Sequence, residues 1–175
     1  MKEAKLIIIK NRHNGDNVIE NVLYYALESP FADIEEIMVN GISDNDYDQM
    51  VRDFYAVQDP YPALQDHRRV FHMILTSRVS KNMQRNLDEG AVAFLEFMKL
   101  HGHQVLLVPH YGSKTNADNY HWHAVVNVKS YLTGKTLLDK YGEFKLITDF
   151  MNQQPYTHWT YDYHISDRIV PTQYF

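Results

Sequence analysis

The segment Val108 to Lys129, VPHYGSKTNADNYHWHAVVNVK, carries three histidines in a pattern that can hold a metal. His121 and His123 are two apart, and in a strand such residues leave the same face. Val125 and Asn127 continue that face; Trp122, Ala124, Val126 and Val128 make a more apolar opposite one. His110 closes the preceding apolar run, and a polar loop over 112–119 turns the chain back. An antiparallel hairpin therefore brings His110 to His121 and His123. Three imidazoles from neighbouring strands make an open metal site, with positions left for water or substrate. Imidazole suits zinc, copper, iron, nickel or manganese; for magnesium, substrate phosphates would add oxygens. A lone His-x-His pair is most often ordinary strand sequence, and the independently placed third histidine lifts the reading above that. A cupin-like site would want a glutamate soon after the pair, but the next acid is Asp139. The metalloprotease pattern HExxH is absent.

If such a metal polarises a phosphodiester, the reaction needs a nucleophile, either water or a side chain. Tyr24 and Tyr25 sit side by side on an N-terminal helical segment. A tyrosine hydroxyl attacking phosphorus would hold a covalent 5′-phosphotyrosine, provided a metal or base offsets its high pKa. Alone, two tyrosines on an amphipathic helix read as packing; beside the histidines they form a constellation.

The elements that must position these groups follow from periodicity. Lys5 to Asn11 reads as a strand, broken by Asn14-Gly15-Asp16. A helix capped by Asp16 or Asn17 runs to about Leu27 and stops at Pro30. Residues 34–39 make a short strand, and a helix capped by Ser43 or Asp44 spans about 45–57. Arg68 to Arg78 alternates as a strand, with Val70, His72, Ile74 and Thr76 on one face. Ser80 starts a helix to about Leu100, closed by His101-Gly102-His103. Strands over 104–111 and 120–129, a helix over 143–152 and a last strand over 155–163 complete the chain. The pattern is α+β: a central antiparallel β-sheet with flanking helices, expected as a single domain over 1–175 with no helicase or primase part.

Composition first argues against nucleic acid. The 175 residues carry a net charge of −5, where a non-specific nucleic-acid coat is basic. The acidity is local, however. Residues 31–66 hold nine acids and one base, while residues 67–100 hold six bases and three acids. Without cysteine, thiol catalysis and Cys-ligated metals are excluded, and any metal site falls to histidine. No apolar run approaches the roughly 18 residues of a spanning helix, and no signal segment is seen, so a cytoplasmic protein is expected.

On these residues the sequence resembles a plasmid mobilisation relaxase of the HUH endonuclease superfamily, MobA-type, from about Lys5 to Gln154. The signature of two histidines around a bulky residue is His121-Trp122-His123, followed by Ala124-Val125-Val126-Asn127. His110 resembles the upstream third histidine. The stretch from Arg69 to Ser77 resembles the second motif, Tyr25 to Pro30 the tyrosine motif, and Gly134-Lys135 also fits. The chain departs from the pattern in lacking a Lys-Thr pair after Pro30 and in placing Arg78 after Ser77. The resemblance implies a relaxase fold and a divalent metal, Mg²⁺ or Mn²⁺, on His110, His121 and His123. It implies single-stranded DNA at an origin of transfer, nicked by tyrosine attack and rejoined by the reverse, with accessory mobilisation proteins as further partners. Tyr25 matches the nucleophile better than Tyr24; His13 is a minor candidate, since a subfamily uses an N-terminal histidine.

Arg78, Lys81, Lys114, Lys129 and Lys135 are the expected DNA contacts, each adding salt-dependent affinity. His72 and Asn127 are candidates for phosphate binding or site support. Trp159, Tyr161 and Tyr163 suit base stacking, although ordinary strand packing is the commoner role. Two other functions stay open: a rolling-circle replication initiator or single-tyrosine transposase, whose tyrosine usually follows the histidine motif, and a catalytically inactive single-stranded DNA-binding module.

Overall fold

Val70–Thr76 is buried at every position, the signature of a strand covered on both faces. It lies near the middle of a six-stranded sheet. The computed structural model describes residues 1–9, 16–78, 82–138 and 140–164. The elements, in chain order, are β1 (Lys2–Ile9), α1 (Val18–Leu27), β2 (Met38–Asn40), α2 (Tyr47–Gln58), a 3₁₀ turn (Pro62–Asp66), β3 (Val70–Thr76), α3 (Gln84–His101), β4 (His103–Tyr111), β5 (Tyr120–Ser130), α4 (Tyr141–Met151) and β6 (Thr157–His164). The sheet order is β2-β4-β5-β3-β1-β6.

Every pairing is antiparallel except β1–β6, which is parallel, so the sheet is mixed. The reason is the crossover through α4. β5 ends pointing the same way as β1, and a helix is needed to bring the chain back for a parallel partner. α4 packs against α3 and β6 on one face of the sheet, delivering β6 to the far edge.

That face holds the larger core. Leu87, Ala91, Phe94 and Met98 of α3, with Phe144, Ile147 and Met151 of α4, meet Leu6, Phe71, Met73, Trp122, Ala124 and Val126 of the sheet. Gly90 lets α3 close down on β6, since a Cβ there would lie 2.0 Å from the Trp159 ring. Trp159 is consequently core, not a base-stacking platform. Tyr161 and Tyr163 pack around Phe144 and Tyr141.

The opposite face is covered by α1 and α2. Val18, Ile19, Val22, Leu23 and Ala26 form the inward stripe of α1 and meet Val70, Leu106, Val108 and Val125. Asn17 takes the cap position with φ 60° and no side-chain bond, so packing, at about 1.5–3 kcal/mol per buried aliphatic side chain, holds this helix. α2 is capped by Asp46, whose carboxylate accepts from the Gln49 amide at 3.2 Å, not by Ser43 or Asp44. Among the described residues, no helix is long and apolar enough to cross a membrane.

Candidate active site

β4 and β5 pair with His110 opposite His121 and Val108 opposite His123. Period-2 alternation then sends all three imidazoles to the α1 side of the sheet. His110, His121 and His123 each offer a ring nitrogen, and these atoms lie within 4.8 Å of one another. All three rings are buried, so their charged forms are disfavoured. Burial pushes His121 down to about 4 and His110 below its ordinary value. His123, enclosed and facing three other imidazoles, goes well below. At neutral pH the cluster presents uncharged imidazoles with available lone pairs.

Hydrogen bonds decide which nitrogens are free. His110 donates through Nε2 to the Ala26 carbonyl at 2.8 Å, leaving Nδ1 as the acceptor nitrogen. His121 donates through Nδ1 to the Asn119 carbonyl at 2.9 Å, leaving Nε2. His121 Nε2 lies 3.0 Å from His123 Nε2, and His123 Nδ1 is hydrogen-bonded to His72 Nε2 at 2.7 Å. A cation on His123 Nε2 would require its proton on Nδ1, donated to His72. Carbonyl and imidazole partners that fix ligand tautomers are the usual surroundings of a histidine metal site. The donor set fits a divalent transition-type cation, and it fits magnesium only with added oxygens.

Several elements hold this geometry. Pro30 ends α1, and the following residues run beside β4: Ala32 bridges His110, the Tyr111 amide donates to the Phe31 carbonyl at 2.9 Å, and the Asp33 amide donates to the Pro109 carbonyl at 2.9 Å. The 112–119 loop is closed by reciprocal Ser113–Asn116 backbone bonds. Behind β5, Asp88 of α3 accepts from Trp122 Nε1 at 2.9 Å and from the Tyr120 hydroxyl, fixing the strand at the histidine register. Sequence reading did not single out Asp88; its partners lie 32 and 34 residues away.

The two tyrosines diverge. The Tyr25 ring sits edge-on to His72 and His123, with centroids 5.7 Å and 5.8 Å away. Burial raises its hydroxyl to about 12. Tyr24 points aside and meets Tyr47 of α2 edge-on at 6.3 Å. Tyr141 and Tyr156, which follow the histidine motif, stand at the two ends of the α4 segment, and α4 covers the other face of the sheet.

The remaining expected contacts scatter. Lys114 lines a groove beside Tyr24 and Tyr25. Arg78 lies in a second groove with Lys2, Lys5 and His158. Lys129 and Lys135 come out at the far end of the β4–β5 hairpin, because the loop end, not the 130–136 turn, carries the histidines. Lys129 lies eight residues past His121, roughly 25 Å along an extended strand. Its ammonium donates to the Gly134 carbonyl at 3.0 Å and sits over the Tyr61 ring. Asn127 is also away from the triad, bonded to Gln58, Gln104 and the Phe54 carbonyl. Lys81 and His13 lie outside the described residues. Part of the acidic stretch lies beside the histidine hairpin: the segment with Asp33 and Glu36 runs against β4, and Glu36 accepts from the Tyr111 hydroxyl at 3.1 Å.

No curated protein and no solved structure matches the chain. A family model described as "Relaxase: MobA/VirD2-like, nuclease domain" matches residues 25–157, opening on Tyr25 and spanning all three histidines. That match covers well over half of the sequence, and with it the chain belongs to the MobA/VirD2-like relaxases, DNA-binding proteins with a nuclease domain.

Proposed function

We propose that this nuclease domain nicks one DNA strand at an origin of transfer by attack of Tyr25 and reseals it by the reverse reaction, in conjugative transfer of a plasmid or mobile element. The observation that carries this reading is the Tyr25 ring packed edge-on against His72 and His123, beside three converging imidazoles. His110, His121 and His123 would hold a divalent cation, Mg²⁺ or Mn²⁺ by the resemblance. Bound there, it would supply positive charge to the scissile phosphate. Tyr25 Oη forms a bond to phosphorus, and the P–O3′ bond breaks. The phenol loses its proton and the departing 3′ oxygen gains one. One phosphodiester is exchanged for another, so resealing needs no nucleotide cofactor. The raised pKa of Tyr25 means that its proton must be drawn off as the bond forms.

The rolling-circle or transposase reading is less favoured, because Tyr141 sits on α4, across the sheet from the triad. The test uses a random-sequence single-stranded DNA library with Mn²⁺ or Mg²⁺, denaturing gels and sequencing of covalently held DNA. A protein-linked adduct is expected, lost in Tyr25→Phe and kept in Tyr24→Phe. Loss in Tyr24→Phe alone would move the nucleophile by one residue. Adducts that survive both changes and His123→Ala would overturn the site.

A further inference from the structure

Tyr25 forms one wall of a groove of about 670 Å³ whose other lining residues include Tyr24, Phe31, Asn21, Glu28 and Lys114. The nucleophile reading uses Tyr25 and leaves Tyr24 without a task, although that residue is 57 % exposed. Exposed aromatics beside a cation are the combination that binds unpaired bases, the ring stacking on the base and the ammonium meeting the backbone. The walls are fixed. Phe31 donates its amide to Ser29 Oγ at 3.2 Å and accepts from the Tyr111 amide at 2.9 Å. Gly112, at φ +123°, keeps the loop close to the Phe31 ring, where a Cβ would approach to 3.3 Å. Tyr24 braces edge-on against Tyr47. A phosphate attacked by Tyr25 is bonded to two nucleosides, and this groove borders that tyrosine.

We infer that the groove is a base subsite: Tyr24 is a specificity residue that stacks on the base of a nucleotide flanking the scissile phosphate, with Phe31 as the second wall and Lys114 at its backbone. This rests on the nicking reading. It makes Tyr24 a reader of the DNA instead of a reserve nucleophile.

The experiment uses the oligonucleotide recovered as the covalent adduct, with the nucleotide on either side of the nick replaced in turn by an abasic residue. In wild type, one of the two replacements is expected to raise KM roughly 10-fold, the scale of one stacked base, with kcat changed much less. Tyr24→Ala is expected to raise KM similarly for the intact oligonucleotide and to lose the response to that abasic site; Tyr24→Phe restores the response. Which flank responds identifies the nucleotide. An abasic penalty equal in wild type and Tyr24→Ala, or no penalty on either flank, overturns the subsite while leaving nicking intact. A second readout does not depend on cleavage. In a Tyr25→Phe background, 2-aminopurine placed at each position of a single-stranded probe is quenched on binding at one position, and Tyr24→Ala removes that quench. No such position, whatever the adduct assay shows, also overturns the subsite.

Discussion

The two ends of the β4–β5 hairpin bury polar side chains on the same face of the sheet, with opposite outcomes. At the far end, Asn127 donates to the Phe54 carbonyl and to Gln104 Oε1 and accepts from Gln58 Nε2, while Gln58 also accepts from Arg69. Every side-chain polar atom of Asn127 has a partner within the protein. At the loop end, His110 and His121 each satisfy one ring nitrogen with a carbonyl and turn the other inward; His123 does so against His72. A buried cluster whose donors and acceptors are all spent on fixed partners is architecture, whereas one whose ring nitrogens converge on one another, as His121 Nε2 and His123 Nε2 do at 3.0 Å, is compatible with a bound cation.

The sharpest break of this comparison is His123→Ala. If His123 holds a cation as proposed, its loss is expected to reduce nicking on the order of 10³-fold, since that charge beside the phosphate would contribute several kcal/mol. Single-turnover nicking in Mn²⁺, with Mn²⁺ affinity measured alongside, checks this. Asn127→Ala is expected to do the reverse. It takes one partner each from the buried Gln58 amide, Gln104 oxygen and Phe54 carbonyl, costing about 3 kcal/mol in urea unfolding, with Mn²⁺ affinity of the folded protein kept. If Asn127→Ala loses the metal as His123→Ala does, the two ends are not independent.

Acid separates the ends in a different way. His121 is held down to about 4 when folded and returns to its ordinary value near 6.5 when unfolded. Between those values the unfolded chain binds the extra proton. Stability is therefore complete above about pH 6.5 and falls as pH drops toward 4, by ~3 kcal/mol for this one group. Urea midpoints of chelator-treated protein between pH 7 and 4.5 should show that slope. It should be reduced in His121→Ala and unchanged in Asn127→Ala. An equal slope in all three proteins would place the acid sensitivity elsewhere.

How far the sequence carried this site depends on the range of each interaction. Alternation alone places His121 and His123 on one face, and a polar loop after His110 requires the hairpin. Both are local, and both match the strand register. The direction of that hairpin also decides that Lys129 and Lys135 leave the site, a consequence that proximity in sequence conceals. Long-range pairing is another matter. Nothing in Val70–Thr76 says that it lies beside β5 and not at an edge, so the bond from His72 to His123 was open to either reading. The alternating aromatics of β6 resemble a stacking surface until Gly90, 69 residues upstream, admits Trp159 to the core.

His72 is the mildest test, because it meets the triad through His123. Its Nε2 is the partner of His123 Nδ1 at 2.7 Å, and it shares the Tyr25 ring edge. With a cation on His123 Nε2, His72 must accept the Nδ1 proton, so removing that acceptor leaves a buried N–H unsatisfied. His72→Leu is expected to weaken Mn²⁺ binding about 10- to 100-fold, the usual scale for a residue that orients a ligand. His72→Gln, whose amide oxygen can accept the same proton, should recover part of it. Because Tyr25 leans on both rings, His72→Leu should also lower kcat at saturating Mn²⁺, by less than His123→Ala does. If His72→Leu binds Mn²⁺ as wild type yet nicks poorly, the His72–His123 bond does not orient the ligand, and His72 acts on Tyr25 or the phosphate directly. Loss of both in His72→Gln as in His72→Leu would mean that imidazole itself, and not an acceptor at that position, is what the site requires.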